Sequence, residues 1–132
     1  MIFVDSNVLI DIFSNDPVWE QRSLTAVELR AAREDVIINE VVYAELSPGF
    51  AHPDKLDEGL NLLGVKLQTP PKSALFLAGN AHRLYRRRGG TKTSVLPDFF
   101  IGAHAAVEGA SLLTRDPGRV RAYFPTVTLI AP

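Results

Sequence analysis

The sequence contains no cysteine, and this absence excludes two kinds of site. The chain forms no disulfide bonds, and it offers no thiolate sulfur to a zinc ion or an iron–sulfur cluster. A metal site would therefore have to use oxygen or imidazole nitrogen ligands. The lack of cysteine is also typical of proteins in a reducing compartment, so we expect a cytoplasmic protein.

An excess of charge of one sign is missing as well. The 14 Lys and Arg residues are balanced by 15 Asp and Glu residues, and the formal net charge is −1. No global positive field therefore attracts nucleic acid. An anionic partner has to be held locally, by a basic patch or by metal ions.

Long hydrophobic runs and several catalytic motifs are also absent. The apolar N-terminal stretch MIFVDSNVLIDIF is interrupted by Asp5 and Asp11 and lacks a basic leader, so it predicts neither a signal peptide nor a membrane span. The sequence has no G-x-S-x-G nucleophile elbow, no Walker loop and no G-x-G-x-x-G fingerprint. We expect no membrane partner and no serine-hydrolase or nucleotide-binding chemistry.

What the sequence does contain is a regular alternation of short apolar runs and helical segments. With 132 residues, 46% of them hydrophobic, the chain is long enough for a single domain over residues 1–132 with one core. The predicted strands cover residues 1–4, 36–38, 65–67, 111–114 and 127–130. The main predicted helices cover residues 16–34, 39–46, 54–63, 71–88 and 97–108. This order predicts an α/β fold, a three-layer α/β/α sandwich with a central, mainly parallel sheet.

Carboxylates lie where these segments begin and end. Asp5 follows the first strand, Asp116 follows the fourth, and Asp98 lies in the first turn of the helix that leads into the fourth strand. A right-handed crossover brings the start of that helix and the end of that strand to the same rim of the sheet, where ligands of parallel sheets bind. Glu45 lies among apolar neighbours on its helix and is expected to project inward.

Each acid alone has an ordinary interpretation as a helix cap, a turn residue or a solvated side chain. Together they repel one another unless a counter-charge is present, and clustered carboxylates either raise their pKa values or bind cations. Because cysteine is absent and no histidine cluster is evident, the cation should be hard, Mg²⁺ or Mn²⁺. Two such ions, about 3.5–4 Å apart, can hold the attacking water and the leaving oxygen of a phosphodiester.

Four segments of the sequence resemble the motifs of the PIN-domain family, and most closely of VapC-type toxin ribonucleases of type II toxin–antitoxin systems. They are IFVDSNVLID, INEVVYAELSPGF, LPDFFIGAHA and LLTRDP. The segments occur in the family's order and span essentially the whole chain, so the resemblance concerns the entire fold and not a single motif.

The resemblance implies an endoribonuclease that depends on Mg²⁺ or Mn²⁺ and hydrolyses RNA with metal-activated water. It implies that Asp5, Glu45, Asp98 and Asp116 form the catalytic and metal-binding site, with Asn7 and Thr114 in supporting roles. It further implies a cognate VapB-like antitoxin that blocks the site, and a homodimer.

A dense basic run lies at residues 82–92 and has two interpretations. It includes Arg83, Arg86, Arg87, Arg88 and Lys92. It is either a solvated helix end, where cations complement the helix dipole, or a clamp for RNA phosphates. A polar loop at residues 91–95 follows and leads to Asp98.

Several other residues have structural interpretations that we favour. Glu40 is interpreted as a first-turn acid, Asp11 as a structural or indirectly acting residue, and His104 as a packed histidine. Trp19 and Phe13 are assigned either to a partner groove or to ordinary core packing.

Three alternative functions stay open on the sequence alone. A structure-specific DNA nuclease would use the same metal chemistry. A receiver-like phosphoacceptor domain also places acids at the rim of a parallel sheet, although it needs an acid pair after the first strand and a lysine near the last, and the sequence has neither. An RNA-binding module without catalytic activity is the third.

Overall fold

A parallel sheet forms the centre of the fold in the computed structural model, which describes residues 1–92 and 95–132. Within these residues the sheet has five strands in the order β3-β2-β1-β4-β5, and every neighbouring pair is parallel. The strands are β1 (Ile2–Val4), β2 (Val36–Ile38), β3 (Val65–Leu67), β4 (Ser111–Leu113) and β5 (Leu129–Ile130). Thr93 and Ser94, in the predicted polar loop, lie outside the described residues.

Helices flank this sheet, which confirms the predicted three-layer α/β/α architecture. The helices are α1 (Ser6–Phe13), α2 (Glu20–Ala31), α3 (Glu40–Leu46), α4 (Pro53–Leu63), α5 (Lys72–Arg87), α6 (Leu96–Glu108) and α7 (Gly118–Tyr123), with a short 3₁₀ turn at Ser47–Gly49. No helix in the described part of the chain is long and apolar enough to cross a membrane.

The middle of the sheet is the centre of the core. β1 lies between β2 and β4, and Ile2, Phe3 and Val4 are at most 1% exposed. A strand with neighbours on both edges and helices on both faces has no polar side, which explains why its sequence is an uninterrupted apolar run.

Helix α6 has more buried residues than any other helix in the described part of the chain. Pro97 occupies its first turn, where the missing N–H costs nothing, and Gly109 ends it with a left-handed φ of 64°. Phe99, Ile101 and His104 on this helix are buried. Its first turn carries Asp98, so this acid is mounted on a rigid element.

One predicted helix needs correction, and one observed helix was not predicted. The helix predicted from residue 16 begins only at Glu20, because the Asp16 carboxylate accepts hydrogen bonds from the Val18 and Trp19 N–H groups, at 2.9 and 2.8 Å, and closes a separate turn. The same helix ends at Ala31 and not near residue 34. Helix α7 was not predicted at all, and it contributes a residue to the site.

Candidate active site

The site lies where the order of the strands reverses. β1 and β4 are neighbours with Val4 opposite Leu113, and the Asp5 N–H donates to the Leu113 carbonyl at 2.9 Å. The connection from β1 runs to one side of the sheet, to β2, and the connection from β4 runs to the other, to β5. A crevice opens at such a point outside the carboxyl ends of the strands, and Asp5 and Thr114 are the first residues beyond them.

A cleft of about 160 Å³ occupies this crevice. Its lining combines acidic, polar and apolar side chains: Asp5, Ser6, Asn7, Asp98, Ile101, Asp116, Arg119 and Val120. Three of the four predicted acids therefore line one cleft, although they come from three separate segments of the chain. This agrees with the rim placement expected from the crossover at α6.

Asp5 is held by neutral hydrogen-bond donors. The Thr114 hydroxyl donates to Asp5 Oδ2 at 2.7 Å, and the Asn7 amide donates to the same oxygen at 3.4 Å. The Thr114 hydroxyl oxygen in turn accepts from the Asp116 N–H at 3.0 Å, and the side-chain oxygen Oδ1 of Asn7 accepts from the Arg115 N–H at 3.3 Å. These contacts fix the Asp5 carboxylate and tie it to the segment after β4.

Burial raises the pKa of the Asp5 carboxyl above its ordinary value. The hydrogen bond from Thr114 opposes this shift, whereas the charges of Asp98 and Asp116 add to it. Burial also raises the pKa of Asp98, against the opposing effect of the Arg119 guanidinium. Negative charge is thus concentrated in the cleft, and both carboxyl groups would be stabilised by an added cation.

Glu45 lies at the edge of this group. Instead of projecting into the core, as its apolar neighbours suggest, it is an exposed residue that lines an adjacent groove with Ile10 and Phe13. Its carboxyl group is nevertheless partly desolvated, which raises its pKa, and the charges of Asp5 and Asp98 raise it further. A hydrogen bond from Ser6 acts in the opposite direction. Glu45 therefore faces the acidic cleft from its border.

Arg119 is a cation inside the acidic cleft, and the sequence interpretation missed it. Its Nη1 group contacts Asp98 Oδ2, and its side chain is 20% exposed. No sequence motif marked this residue, because its position depends on α7, which carries no recognisable start signal.

The chemical type of the donors suits a hard divalent cation, because carboxylate oxygens are the ligands that Mg²⁺ and Mn²⁺ prefer. Within residues 1–92 and 95–132, however, no three Asp, Glu or His side chains stand close enough together to hold a metal ion. A bound ion would have to draw the carboxylates together, in a cleft that also contains the Arg119 guanidinium.

Both PIN domains and receiver-like domains place acids on the rim of a parallel sheet, and a match to a family model decides between them. The PIN domain model matches residues 2–125 of the chain. The chain belongs to the PIN-domain family. PIN domains are nucleases and generally use divalent metals, so the chain is a member of a nuclease family.

Solved structures agree with this fold. VapBC2 from Rickettsia felis has a TM-score of 0.74 at 20% identity, covering 99% of this chain and 98% of that one. VapBC-1 from nontypeable Haemophilus influenzae has a TM-score of 0.71 at 18% identity, covering 99% and 98%. A toxin–antitoxin complex from Klebsiella pneumoniae has a TM-score of 0.67 at 21% identity, covering 97% and 96%. No curated protein matches the sequence.

PIN membership removes the receiver-like alternative. The strand order is an independent argument, because receiver domains have the order 2-1-3-4-5, whereas this sheet has β1 between β2 and β4. The rim acids of this PIN domain therefore do not form a phosphoacceptor site of that type.

Asp11 has a structural role in this PIN domain. It is 2% exposed, and it accepts from the Ser23 hydroxyl at 2.9 Å and pairs with the Arg115 Nε at 2.9 Å. The Arg115 guanidinium also lies 4.8 Å from the centre of the Trp19 ring. Arg115 thus links the segment after β4 to α1 and α2, so Asp11 and Trp19 support the site from outside.

Glu40 and His104 also lie outside the cleft. Glu40 is exposed and accepts from the Thr69 hydroxyl at 2.6 Å, as a first-turn acid of α3. His104 is fully buried, with its ring 4.4 Å from that of Phe3 and its Nδ1 3.4 Å from the Asn39 amide. Both observations confirm the structural interpretations made from the sequence.

The basic run reaches the cleft at its C-terminal end. Lys92 lies close enough to Asp98 for its charge to lower the pKa of that carboxyl, although burial remains the larger effect. The Arg88 guanidinium lies 5.5 Å from the centre of the Tyr123 ring, on α7. Arg86 and Arg87 are exposed at the end of α5. The C-terminal end of the run, at Lys92, therefore lies at one border of the cleft.

Proposed function

We propose that this chain is an endoribonuclease that requires Mg²⁺ or Mn²⁺ and acts as the toxin of a toxin–antitoxin pair. The observation that carries the proposal is the acidic cleft at the reversal of strand order, where Asp5, Asp98 and Asp116 converge. In a member of a nuclease family, a concentration of carboxylates with raised pKa values supports metal-assisted hydrolysis of a phosphodiester.

We assign the binding of the metal to Asp5, Asp98, Asp116 and Glu45. When bound, the metal would lower the pKa of an attacking water and neutralise charge that develops on the phosphate. Asp5 is already oriented for this task by Thr114 and Asn7. Glu45 stands at the border, where partial burial and the charges of Asp5 and Asp98 raise its pKa.

Thr114 and Asn7 would act by positioning Asp5. Thr114 is 2% exposed, so its hydroxyl is protected from exchange with water. It donates to Asp5 and accepts from the Asp116 N–H, which couples the orientation of one acid to the backbone of another. Partners of this kind orient metal ligands and are needed for full metal affinity.

Lys92 and the arginines at the end of α5 are proposed to bind RNA. Arg86, Arg87 and Arg88 are exposed, and the charge of Lys92 lowers the pKa of Asp98 against the larger effect of burial. A phosphate that approaches the cleft from this border would meet positive charge before it meets the carboxylates. Phosphate contacts of this type make binding depend on salt concentration.

A cognate antitoxin is the proposed protein partner. Each of the solved structures compared above is a VapBC or toxin–antitoxin structure, and the chain covers at least 96% of each. The similarity of fold over the whole chain supports a similar partner. A homodimer stays a prediction, which sedimentation equilibrium of the purified chain would test.

The nuclease proposal is tested with a labelled single-stranded RNA and the purified full chain. We expect cleavage with Mg²⁺ or Mn²⁺ and none in EDTA. A single-stranded DNA and a flap DNA of the same sequence, incubated in parallel, decide the alternative, because preferential cleavage of either DNA would favour a DNA nuclease. Undiminished RNA cleavage in EDTA would contradict the metal-dependent mechanism.

Two glutamates of α3 provide a matched pair of variants for the same assay. We expect Glu45→Gln to reduce the cleavage rate strongly, because it removes a proposed ligand. We expect Glu40→Gln to leave the rate within about twofold, since exposed residues away from the site contribute little. An equal loss in both variants would contradict the assignment of Glu45.

The toxin proposal is tested in cells. We expect induced expression of the chain to arrest growth, and Asp98→Asn to remove the toxicity at the same protein level. Co-expression of a small protein encoded next to this chain should restore growth and form a stable complex with it. Growth arrest that is unchanged by Asp98→Asn would contradict a toxicity based on nuclease activity.

A further inference from the structure

Arg119 and a metal ion would need the same carboxylate. Arg119 lines the cleft with Asp5 and Asp116, and its Nη1 group contacts Asp98 Oδ2. A divalent ion bound by Asp98 would approach its oxygens to about 2.0–2.1 Å for Mg²⁺. A guanidinium at hydrogen-bonding distance from the same carboxylate repels that ion, because both are cations.

The position of Arg119 is built into the fold. Its guanidinium lies 5.7 Å from the centre of the Tyr85 ring, a cation–π contact that holds the charge over α5. Helix α7, which carries Arg119, is anchored by Tyr123, whose ring is 5.3 Å from that of Phe99 on α6. The contact with Asp98 is therefore supported on both sides by packed aromatic rings.

The anchoring extends past the end of α7. Phe124 is 3% exposed, and its ring is 6.1 Å from that of Phe99. Gly102 on α6 makes room for it, because a Cβ atom at this position would lie 2.4 Å from Phe124 Cδ2. Packing this close fixes the distance between the helix that carries Asp98 and the helix that carries Arg119.

We propose that Arg119 competes with the divalent cation for Asp98. In the metal-free protein Arg119 compensates the charge of Asp98 and stabilises the acidic cleft, and for the metal to bind Asp98 this contact has to break. Arg119 thereby lowers the affinity of the cleft for the metal and sets the concentration at which the site is filled. The inference rests on the proposed function, since it takes the cleft to be a metal site.

The test is a Mn²⁺ titration of the purified full chain, followed by electron paramagnetic resonance of the unbound ion. We expect Arg119→Gln to bind Mn²⁺ about 10- to 100-fold more tightly than the wild type, the range expected when a charge-assisted contact no longer has to be broken. Arg119→Lys, which keeps the charge but loses the planar fork, should fall between them.

Arg121→Gln is the matched control. Arg121 is exposed on the same helix, and within the described residues it forms no ion pair with an acid. This variant changes the net charge by the same amount, so it measures the general electrostatic effect on Mn²⁺ binding. We expect its affinity to stay within about threefold of the wild type, because exposed charges are screened by solvent and salt.

The effect of Arg119 should act through Asp98. In an Asp98→Asn background, Arg119→Gln should change the Mn²⁺ affinity by no more than the Arg121→Gln control does. An affinity equal to or weaker than that of the wild type in both Arg119→Gln and Arg119→Lys would overturn the proposal. So would the absence of Mn²⁺ binding in all variants, or a tightening that persists without Asp98.

The outcome separates this inference from the proposed ribonuclease activity. Suppose that the Arg119 variants bind Mn²⁺ more tightly but the wild-type chain cuts no RNA. This result would support the competition and contradict the proposed ribonuclease activity. A chain that cuts RNA in a metal-dependent manner, but in which Arg119→Gln and Arg119→Lys both bind Mn²⁺ no more tightly than the wild type, would support the ribonuclease and contradict the competition.

Discussion

Asp5 and Asp98 line the same cleft but are held by different kinds of partner. Neutral donors, Thr114 and Asn7, fix Asp5, whereas the cation Arg119 contacts Asp98. A neutral donor orients a carboxylate and leaves its charge available to a metal. A cation neutralises the carboxylate and competes with the metal. The two sides of the site therefore differ in how ready they are to bind a metal. The Asp5 carboxylate is preorganised, whereas the Asp98 carboxylate first has to be released from Arg119.

The largest expected effect follows from removing charge on the preorganised side. We expect Asp5→Asn to lower the RNA cleavage rate at least about 100-fold, because metal-assisted stabilisation of the transition state is worth several kcal/mol. The measurement is the initial rate on single-stranded RNA at saturating Mg²⁺. Asp57→Asn, an acid on α4 that accepts from the Tyr43 hydroxyl, is the control. A loss of less than tenfold would contradict the central role of Asp5.

The next effect tests the neutral donor itself. We expect Thr114→Val to weaken Mn²⁺ binding about 10- to 100-fold, the usual cost of losing a partner that orients a metal ligand. Thr114→Ser keeps the hydroxyl and should stay close to the wild type. This change has the opposite sign to that expected for Arg119→Gln, so the pair of titrations compares the two sides directly. If Thr114→Val and Arg119→Gln both bound Mn²⁺ more tightly to the same extent, the proposed difference between the two sides of the cleft would be contradicted.

The third prediction concerns the packing of Gly102 against Phe124, which positions the helix that carries Arg119. The substitution does not alter the donors that hold Asp5. We expect Gly102→Ala to reduce the free energy of unfolding by about 1–3 kcal/mol, because the new methyl group overlaps the buried Phe124 ring. Urea denaturation measures the change.

Gly79→Ala is the control for this substitution. Gly79 lies in α5, and in the described part of the chain no atom lies within 4 Å of a Cβ placed there. It should stabilise the protein by about 0.5–1 kcal/mol, since alanine is the better helix former. The same sign for both glycines would contradict the packing argument.

The smallest effect is a dependence of stability on pH in EDTA. Burial holds the pKa of Asp5 above its ordinary value of 3.8. The contribution of Asp5 to stability is therefore fully present below pH 3.8 and is lost as the pH rises through the folded-state pKa. We expect Asp5→Asn to become more stable relative to the wild type between pH 4 and pH 8, as followed by urea denaturation.

Asp35→Asn is the control with the opposite sign. A hydrogen bond from Lys66 holds the pKa of Asp35 below its ordinary value, so its contribution is present above pH 3.8 and is lost on acidification. This variant should lose stability relative to the wild type at neutral pH, and the loss should shrink as the pH falls from 3.8 through the lower folded-state pKa. Identical pH profiles for the two variants would contradict the assigned directions.

The acids of the cleft could be predicted from sequence, and the cation that contacts Asp98 could not. Asp5 directly follows β1, so strand pattern and parallel topology are enough to place it. The supporting role of Thr114 was expected only from the family resemblance, because the predicted fourth strand included this residue. Helix α6, which carries Asp98, could also be predicted, because Pro97 and Gly109 mark its ends. These features depend on local signals and on the handedness of the crossover.

Arg119 was missed because its role depends on tertiary packing. The six-residue helix α7 has neither a side-chain cap nor a clear apolar period, so the sequence GRVRAY gives no reason to place a cation in the cleft. Glu45 shows the same limit. Val42 and Leu46 on α3 are buried, and Glu45 is 100° from Leu46 on an ideal helix, so it lies on the flank of a helix whose sequence is mostly apolar.

The difference between the two sides is tested most directly by a crystal of the full chain soaked in Mn²⁺ and measured at the manganese absorption edge. We predict an anomalous difference peak in the cleft, in contact with the carboxylates of Asp5 and Asp98, and a broken contact between Arg119 and Asp98. A cleft without a peak at saturating Mn²⁺, or a bound ion with Arg119 still on Asp98, would contradict this account.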